Sequence, residues 1–502
     1  MLDLGTVLCM KTRIITTYSC MMLLSISLLA SETEKILPPP KIVVVGAGIA
    51  GLTAAYRLKK DYGLDAVVYE ASDRVGGKIR TENYPKQGVR VELGASFIDQ
   101  DHTAIRALVA ELGLSLTTLK MPGSEKTYVF DGKIRDLSGL YQEFLPTLLR
   151  IEQDIGCIKH ERAHRKADNY GGIEHLTPTE EIIDKLSIDE YLSSRNAPPL
   201  FKTLAEVIHA CEFGASTKQL NALMLLDYMT IDLERGHFLI DGKKGDEGSK
   251  ITGGNSLLPQ ALAKKLAFPI NFEHELAELR EEDGSFALTF RHLAEDLRVN
   301  ADYVILALPS PILRDIKMDQ ARLLSPDLRV TINDFDYGDV AKFIMVFSAP
   351  VWREKTSNMM EVVTDRFSIW DSSFLEDGNS LYHLTVYMGG PEALKQRDPE
   401  NFASEILHIL EPVIPHLKNY YIGTVPSINW SRHPFSKSGF FGPIRPGQWR
   451  DRFVFLHHAM GNLVFAGDQW SKEHAGFMNG AVESAITAAR YIHLQVSRHR
   501  KS

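Results

Sequence analysis

Lys41-Ile42-Val43-Val44-Val45-Gly46-Ala47-Gly48-Ile49-Ala50-Gly51 is the stretch that decides the fold. Its first half is a short β-branched apolar run, the composition of a buried parallel strand. Gly46 to Gly51 follows as a G-x-G-x-x-G turn, and Leu52 to Lys60 reads as a helix with Leu52, Ala55 and Leu58 on one side. Ala66-Val67-Val68-Tyr69-Glu70 is a second strand, which completes a β-α-β unit. The three glycines of the turn serve different physical ends. Gly46 allows the tight bend, Gly48 the close approach of a pyrophosphate, and Gly51 close helix–strand packing. The helix start at Ile49 and Ala50 presents unpaired backbone N–H groups to the phosphates. Glu70 can accept hydrogen bonds from both ribose hydroxyls and would repel a 2′-phosphate, so FAD or NAD is favoured over NADP.

The rest of the chain sets the frame around this unit. With 502 residues, a net charge of -8 and 44% hydrophobic residues, it reads as a globular protein of two or three structural units. The mild acidity argues against a nucleic-acid partner, which usually needs a basic face. Of four cysteines, Cys9 and Cys20 lie near the start, and Cys157 and Cys211 alone cannot build a disulfide framework. No Cys/His cluster has zinc-ligand spacing, so no metal is expected. Residues 1–30 read as a signal peptide: Met10-Lys11-Thr12-Arg13 is basic, Ile14 to Ala30 is apolar, and Leu28-Leu29-Ala30 suits cleavage. That predicts export to the periplasm or the medium. The alternative is an uncleaved membrane anchor, since the apolar run is at the lower limit for a span. Residues 31–40 are a linker ending in Pro38-Pro39-Pro40, residues 496–502 are a basic tail, and no stable membrane span is expected in the mature chain.

From about 140 to 240 the pattern is helical, with Leu148, Ile151, Ile155 and Ile158 at helical spacing. After Gly253-Gly254-Asn255, a helix at Ser256–Leu266 leads into short strands near 270–280, 286–291 and 302–308. Val340 to Phe347 is a clear strand, and 453–495 returns to a strand–turn–helix pattern. The layout predicts an α/β fold: a discontinuous Rossmann-type cofactor domain from 41–110, 245–325 and 453–495. Into it are inserted a largely helical segment, 111–244, and a second segment, 326–452, which together make a mixed-sheet plus helical substrate domain.

Glu70-Ala71-Ser72-Asp73-Arg74-Val75-Gly76-Gly77-Lys78 and Val91-Glu92-Leu93-Gly94-Ala95-Ser96-Phe97 resemble flavin signatures of the flavin amine oxidase superfamily. Asn462 to Asp468 resembles its last strand and flavin turn, and Ala475 to Ala485 its final helix start. The resemblance covers nearly all of residues 40–495 and is strongest at the two ends. It implies FAD, with Gly76 and Gly77 by the pyrophosphate, Ala71, Arg74 and Lys78 also at the cofactor, and Gly94, Ala95, Ser96 and Phe97 behind the isoalloxazine. Leu276 and the set Gly467, Asp468, Phe477, Met478 and Ala481 complete the implied cofactor contacts. The family usually has Arg at position 78 and Glu at position 468. A Lys lacks the bidentate fork, so phosphate grip would rest partly on Arg74.

On the substrate side, Lys342 shares a strand face with Val340, Ile344 and Val346. By resemblance it is the Lys bonded to a water near flavin N5; by physics alone it could be an edge-strand Lys that snorkels to solvent. Trp430 to Phe440 resembles the family's W-x3-P segment, which makes Phe440 and Phe477 the two walls of a substrate cage. Gly439 stands where monoamine oxidases carry the flavin-linking Cys, so FAD is expected to be non-covalent. No carboxylate-clamping Arg motif of the L-amino-acid oxidases is evident. His433, His457, His458 and His474 have no spacing that compels a role. The activity implied is oxidation of a small amine to an imine by dioxygen, with release of hydrogen peroxide. The rivals are a superfamily oxidase or desaturase acting on C–C bonds, protoporphyrinogen-oxidase-like, and a flavin-binding protein without turnover.

Overall fold

The computed structural model describes residues 38–119, 126–135, 137–164, 175–240, 248–293, 295–354, 361–373, 381–450 and 459–499. The expected leader, most of the linker, the last residues of the tail, His457 and His458 lie outside them.

The opening β-α-β unit forms as the sequence dictates: β1 (Ile42–Val45), α1 (Ile49–Tyr62) and β2 (Ala66–Tyr69). Further along, β3 (Tyr303–Leu306), β4 (Val340–Phe347), β5 (Leu463–Phe465) and α2 (Met478–His499) matter most for the site. β1 pairs in parallel with β2 on one side and with β3 on the other, and β5 extends the sheet beyond β3. The short strand Ala459–Met460 closes it antiparallel to β5. Strand order therefore reverses direction at β1, and the crevice at the carboxyl ends of these strands is where such a sheet takes a ligand. α1 and α2 pack against each other over this sheet. Ala481, Ala485 and Ala488, one face of α2 at helical spacing, are buried in the same core as Ala50 and Ala54 of α1, and the small side chains let the two helices approach closely.

The second sheet has seven strands: Tyr421–Asn429, β4, Tyr382–Gly389, Ser368–Asp371, Glu361–Thr364, Thr127–Phe130 and Lys133–Arg135, in that spatial order. It is mixed, with one parallel pair between Glu361–Thr364 and Thr127–Phe130. β4 lies in its interior, paired antiparallel on both sides, and all eight of its residues are buried. Lys342 therefore has no sheet edge along which to snorkel.

The helical segment comprises Leu137–His164, Pro178–Ile183, Ile188–Ser194, Pro199–Phe213 and Ala222–Tyr228. Leu148, Ile151, Ile155 and Ile158 all face its core. Two short helices start at capping boxes, Thr177 with Glu180 and Ser187 with Glu190. The structure adds strands to those expected: Thr81–Tyr84 pairs with Val89–Glu92 between the flavin signatures, and an edge strand follows Ser285–His292. Glu295–Ala301 pairs with Ser285–His292, and its mostly exposed, charged residues are those of a sheet edge. Among the described residues no helix is long and apolar enough to cross a membrane.

Candidate active site

A cavity of about 1070 Å³ begins at the dinucleotide turn and reaches Lys342. Every residue expected at the cofactor except Gly51 lines it, and so do Lys342, Phe440 and Phe477. Gly51 works one layer below. A Cβ there would sit 1.9 Å from the Gly46 carbonyl oxygen, so α1 can lie this close to the turn only with glycine at that position. Gly46 has φ 104°, and a Cβ on it would be 2.5 Å from the Ala307 carbonyl oxygen.

Glu70 is buried at the end of β2. Its carboxylate accepts from Ala47 N at 2.6 Å, Ser72 N at 2.9 Å and Ser72 Oγ at 2.7 Å, which fixes its position beside the turn. Arg74 donates to the carbonyls of Val75, Gly77 and Ile79, bracing the glycine loop from beneath. Lys78 and Asp468, the two positions that depart from the family pattern, meet each other: Lys78 Nζ lies 3.2 Å from Asp468 Oδ1. Asp468 also accepts from Phe441 N. The pair ties the first segment of the flavin sheet to the last.

Lys342 Nζ donates to Gly94 O and Ser96 Oγ, each at 2.6 Å, and to Glu92 O at 3.1 Å. A buried ammonium needs such acceptors, and here Gly94 and Ser96 belong to the segment that lines the cavity while Glu92 ends the strand before it. Trp430 Nε1 donates to Leu93 O, between Glu92 and Gly94, at 3.0 Å. Burial raises the pKa of the Glu92 carboxyl, while bonds from Asn255 N–H and Thr81 and the charges of Lys250 and Lys342 act to lower it. Phe440 packs half-buried against the Val340, Ile344 and Val346 face of β4. Phe477 is the more open wall, with its ring 5.1 Å from that of His102. At Gly439 a Cβ would stand 2.3 Å from Val340 Cγ2 and 2.9 Å from Gly338 O, so this position has no room for a side chain.

The opposite wall is not legible from motifs. Trp370 and Tyr387 line it, with ring centroids 5.4 Å apart, and Trp370 also stands 6.0 Å from Phe97. Tyr387 is the cross-strand partner of Lys342. Pairing therefore puts an aromatic beside the Lys, and only the register between distant strands reveals it. Cys211 also lines the cavity, its Sγ 3.7 Å from Tyr387 O, and burial pushes its thiol up to about 12, which keeps it neutral. His433 lines the cavity beside Trp430; burial, with Arg74 and Arg80 nearby, lowers its pKa. Asp99, Asp101, His102 and His474 form a further wall. Among the described lining residues the only arginines are Arg74 and Arg291, and Arg291 pairs with Glu275 beside Leu276, at the cofactor end.

Residues 49–493 match the model of the flavin containing amine oxidoreductase family. The flavin-containing amine oxidase B of Cavia porcellus is 24% identical over 90% of this chain and 85% of its own length. An L-amino-acid oxidase of Pseudechis australis is 23% identical over 91% and 87%. A solved cyclohexylamine oxidase from Brevibacterium oxydans IH-35A superposes with a TM-score of 0.74 at 20% identity, covering 92% of this chain and 100% of that one. The fold is thus that of flavin-binding α/β proteins with an appended substrate domain.

Proposed function

Because this chain belongs to the flavin-containing amine oxidoreductase family, we propose that it uses non-covalently held FAD to oxidise a small amine to an imine, with dioxygen as acceptor. The observation that carries the reading is a single cavity with a dinucleotide turn at one end and Lys342, Phe440 and Phe477 at the other. Bound flavin supplies the two-electron acceptor for hydride equivalents from the amine α-carbon, and dioxygen restores it with release of hydrogen peroxide.

The chain supplies position and field. Glu70 and the start of α1 suit the ribose and pyrophosphate. Phe440 and Phe477 offer two aromatic faces to an amine or its developing iminium. Lys342 holds the 92–96 loop against the ring site and places a positive charge on the cavity wall. Relatives of comparable identity include both an amine oxidase and an L-amino-acid oxidase, and two features favour an amine. The lining arginines stand at the cofactor end, and the remaining wall carries the carboxylates of Asp99, Asp101 and Glu212, which draw in a cation.

Peroxide release across primary amines, diamines and L-amino acids is the test. Amines should give peroxide and amino acids none; turnover of amino acids alone, or of a polyene or porphyrinogen instead, overturns the reading. The absence of room at Gly439 gives a second expectation. Purified protein should be yellow, and acid precipitation should leave all flavin in the supernatant. Colour that stays in the washed pellet counts against non-covalent binding.

A further inference from the structure

We propose that His474 is the base that takes the proton from the incoming ammonium, with Glu483 holding its imidazole in position; this rests on the amine-oxidising reading above. An alkylamine has an ordinary pKa near that of a lysine, about 10.4, so only about one molecule in a few thousand is neutral at pH 7. Loss of hydride equivalents from the α-carbon needs the free nitrogen lone pair, so the proton must leave on the way in. Lys342 cannot take it while its ammonium donates to Glu92 O, Gly94 O and Ser96 Oγ.

The wall next to Phe477 offers a better acceptor. His474 lines the cavity three residues before Phe477, and its backbone oxygen accepts from Phe477 N. Its Nδ1 lies 3.0 Å from Glu483 Oε1, and its Nε2 lies 3.9 Å from Asp101 Oδ2. Glu483 is itself fixed: Ser471 Oγ donates to Oε2 at 2.7 Å and Asn479 Nδ2 to Oε1 at 2.8 Å. Asn479 Oδ1 accepts from Ile105 N, which orients that amide. Its Nδ2 is also 3.0 Å from His474 Nδ1. A lone pair on Nδ1 would face the Glu483 carboxylate oxygen at 3.0 Å, so the neutral ring carries its proton on Nδ1 and its lone pair on Nε2. Asn479 and Glu483 are four residues apart on α2 and face the same loop.

His102 is the neighbouring ring, 5.2 Å away and edge-on. Its Nδ1 accepts from Asp99 N at 3.1 Å, so its neutral form carries the proton on Nε2 and its lone pair is taken. Asp101, His102 and His474 do bring potential ligand atoms within 4.8 Å of one another. The tautomer of His102 favours proton transfer over metal binding there. Asp99, Asp101 and Arg106 share the 99–106 segment, where Arg106 donates to Asp99 O, and Lys472 and Glu473 precede His474 in its own loop.

The step is a balanced exchange: the ammonium and neutral His474 become free amine and imidazolium, whose two N–H groups face Glu483 and Asp101. Asp101, 52% exposed, passes the proton to water. This order of groups, carboxylate, imidazole and reacting nitrogen, is how an oriented base is built.

His474→Gln keeps a polar side chain but removes the base. With one amine and no oxygen, flavin bleaching near pH 7 should slow by about tenfold or more. Near pH 10, where roughly a quarter of the amine is neutral, it should come within about twofold of the parent. Glu483→Gln should shift the profile in the same direction by less. Binding of tert-butylamine, which has no α-hydrogen, read from the flavin spectrum, should show the same split between the two pH values. Equal losses at both pH values, or no loss at either, overturn the assignment. Failure of every amine to bleach the parent enzyme would instead remove the amine reading itself.

Discussion

Replacing Lys342 with Met should slow flavin reduction by amine at least tenfold and loosen the cofactor at the same time. Met keeps the length of the side chain and removes the charge and all its N–H donors. Glu92 O, Gly94 O and Ser96 Oγ each lose a partner, and a buried polar group left unsatisfied costs about 1–3 kcal/mol. A tenfold rate loss is only about 1.4 kcal/mol, so disturbing the 92–96 loop is enough to reach it. The sequence alone suggests that such a variant keeps its FAD affinity, because it shows the Lys on a strand face and hides its partners. Two of those partners, Gly94 and Ser96, line the cavity, so both effects are expected together. Had Lys342 sat at an edge, its loss would stabilise the protein; β4 is interior and fully buried, which removes that outcome. Stopped-flow measurement of both half-reactions, with an FAD titration, checks the expectation. Unchanged rates at unchanged FAD affinity would show that Lys342 does neither job.

What can be read from the sequence follows from how local each signal is. The β-α-β unit is legible because strand, turn and helix each leave a pattern within a few residues, and Gly46 to Gly51 ties them together. The buried face of the long helix is legible at Leu148, Ile151, Ile155 and Ile158 for the same reason. Glu295–Ala301 is not, because an exposed edge strand has no apolar alternation to show. The pairing of Lys78 with Asp468 spans 390 residues, so the sequence displays two separate departures from a pattern and not the ion pair that joins them. Tyr387 gains its place beside Lys342 through register. His474 reads as a spare histidine until the fold carries His102 and Asp101 to it and α2 puts Glu483 behind it.

The glycine turn permits a prediction that separates folding from cofactor binding, because its glycines are small for different reasons. Gly51→Ala should lower the stability of the flavin-free protein as well as its FAD affinity. Its new methyl would meet the Gly46 carbonyl oxygen at 1.9 Å and the Ala307 Cβ at 3.2 Å, both on the rigid turn and strand side. α1 can make room only by lifting off β1, which also disturbs its packing on α2 and moves the N–H groups meant for the phosphates. Overpacking of this kind costs about 1–3 kcal/mol, and an FAD affinity at least tenfold weaker should accompany it. Gly48→Ala should behave differently. Gly48 has φ -69°, which suits alanine, and its methyl would find Gly77 Cα no closer than 4.0 Å. The flavin-free protein should therefore melt at nearly its original temperature. Only the bound pyrophosphate would meet the methyl, so FAD affinity should still fall at least tenfold. Melting curves and FAD titrations of the two variants decide the matter. If Gly48→Ala binds FAD as tightly as the parent, the pyrophosphate does not pass over Gly48.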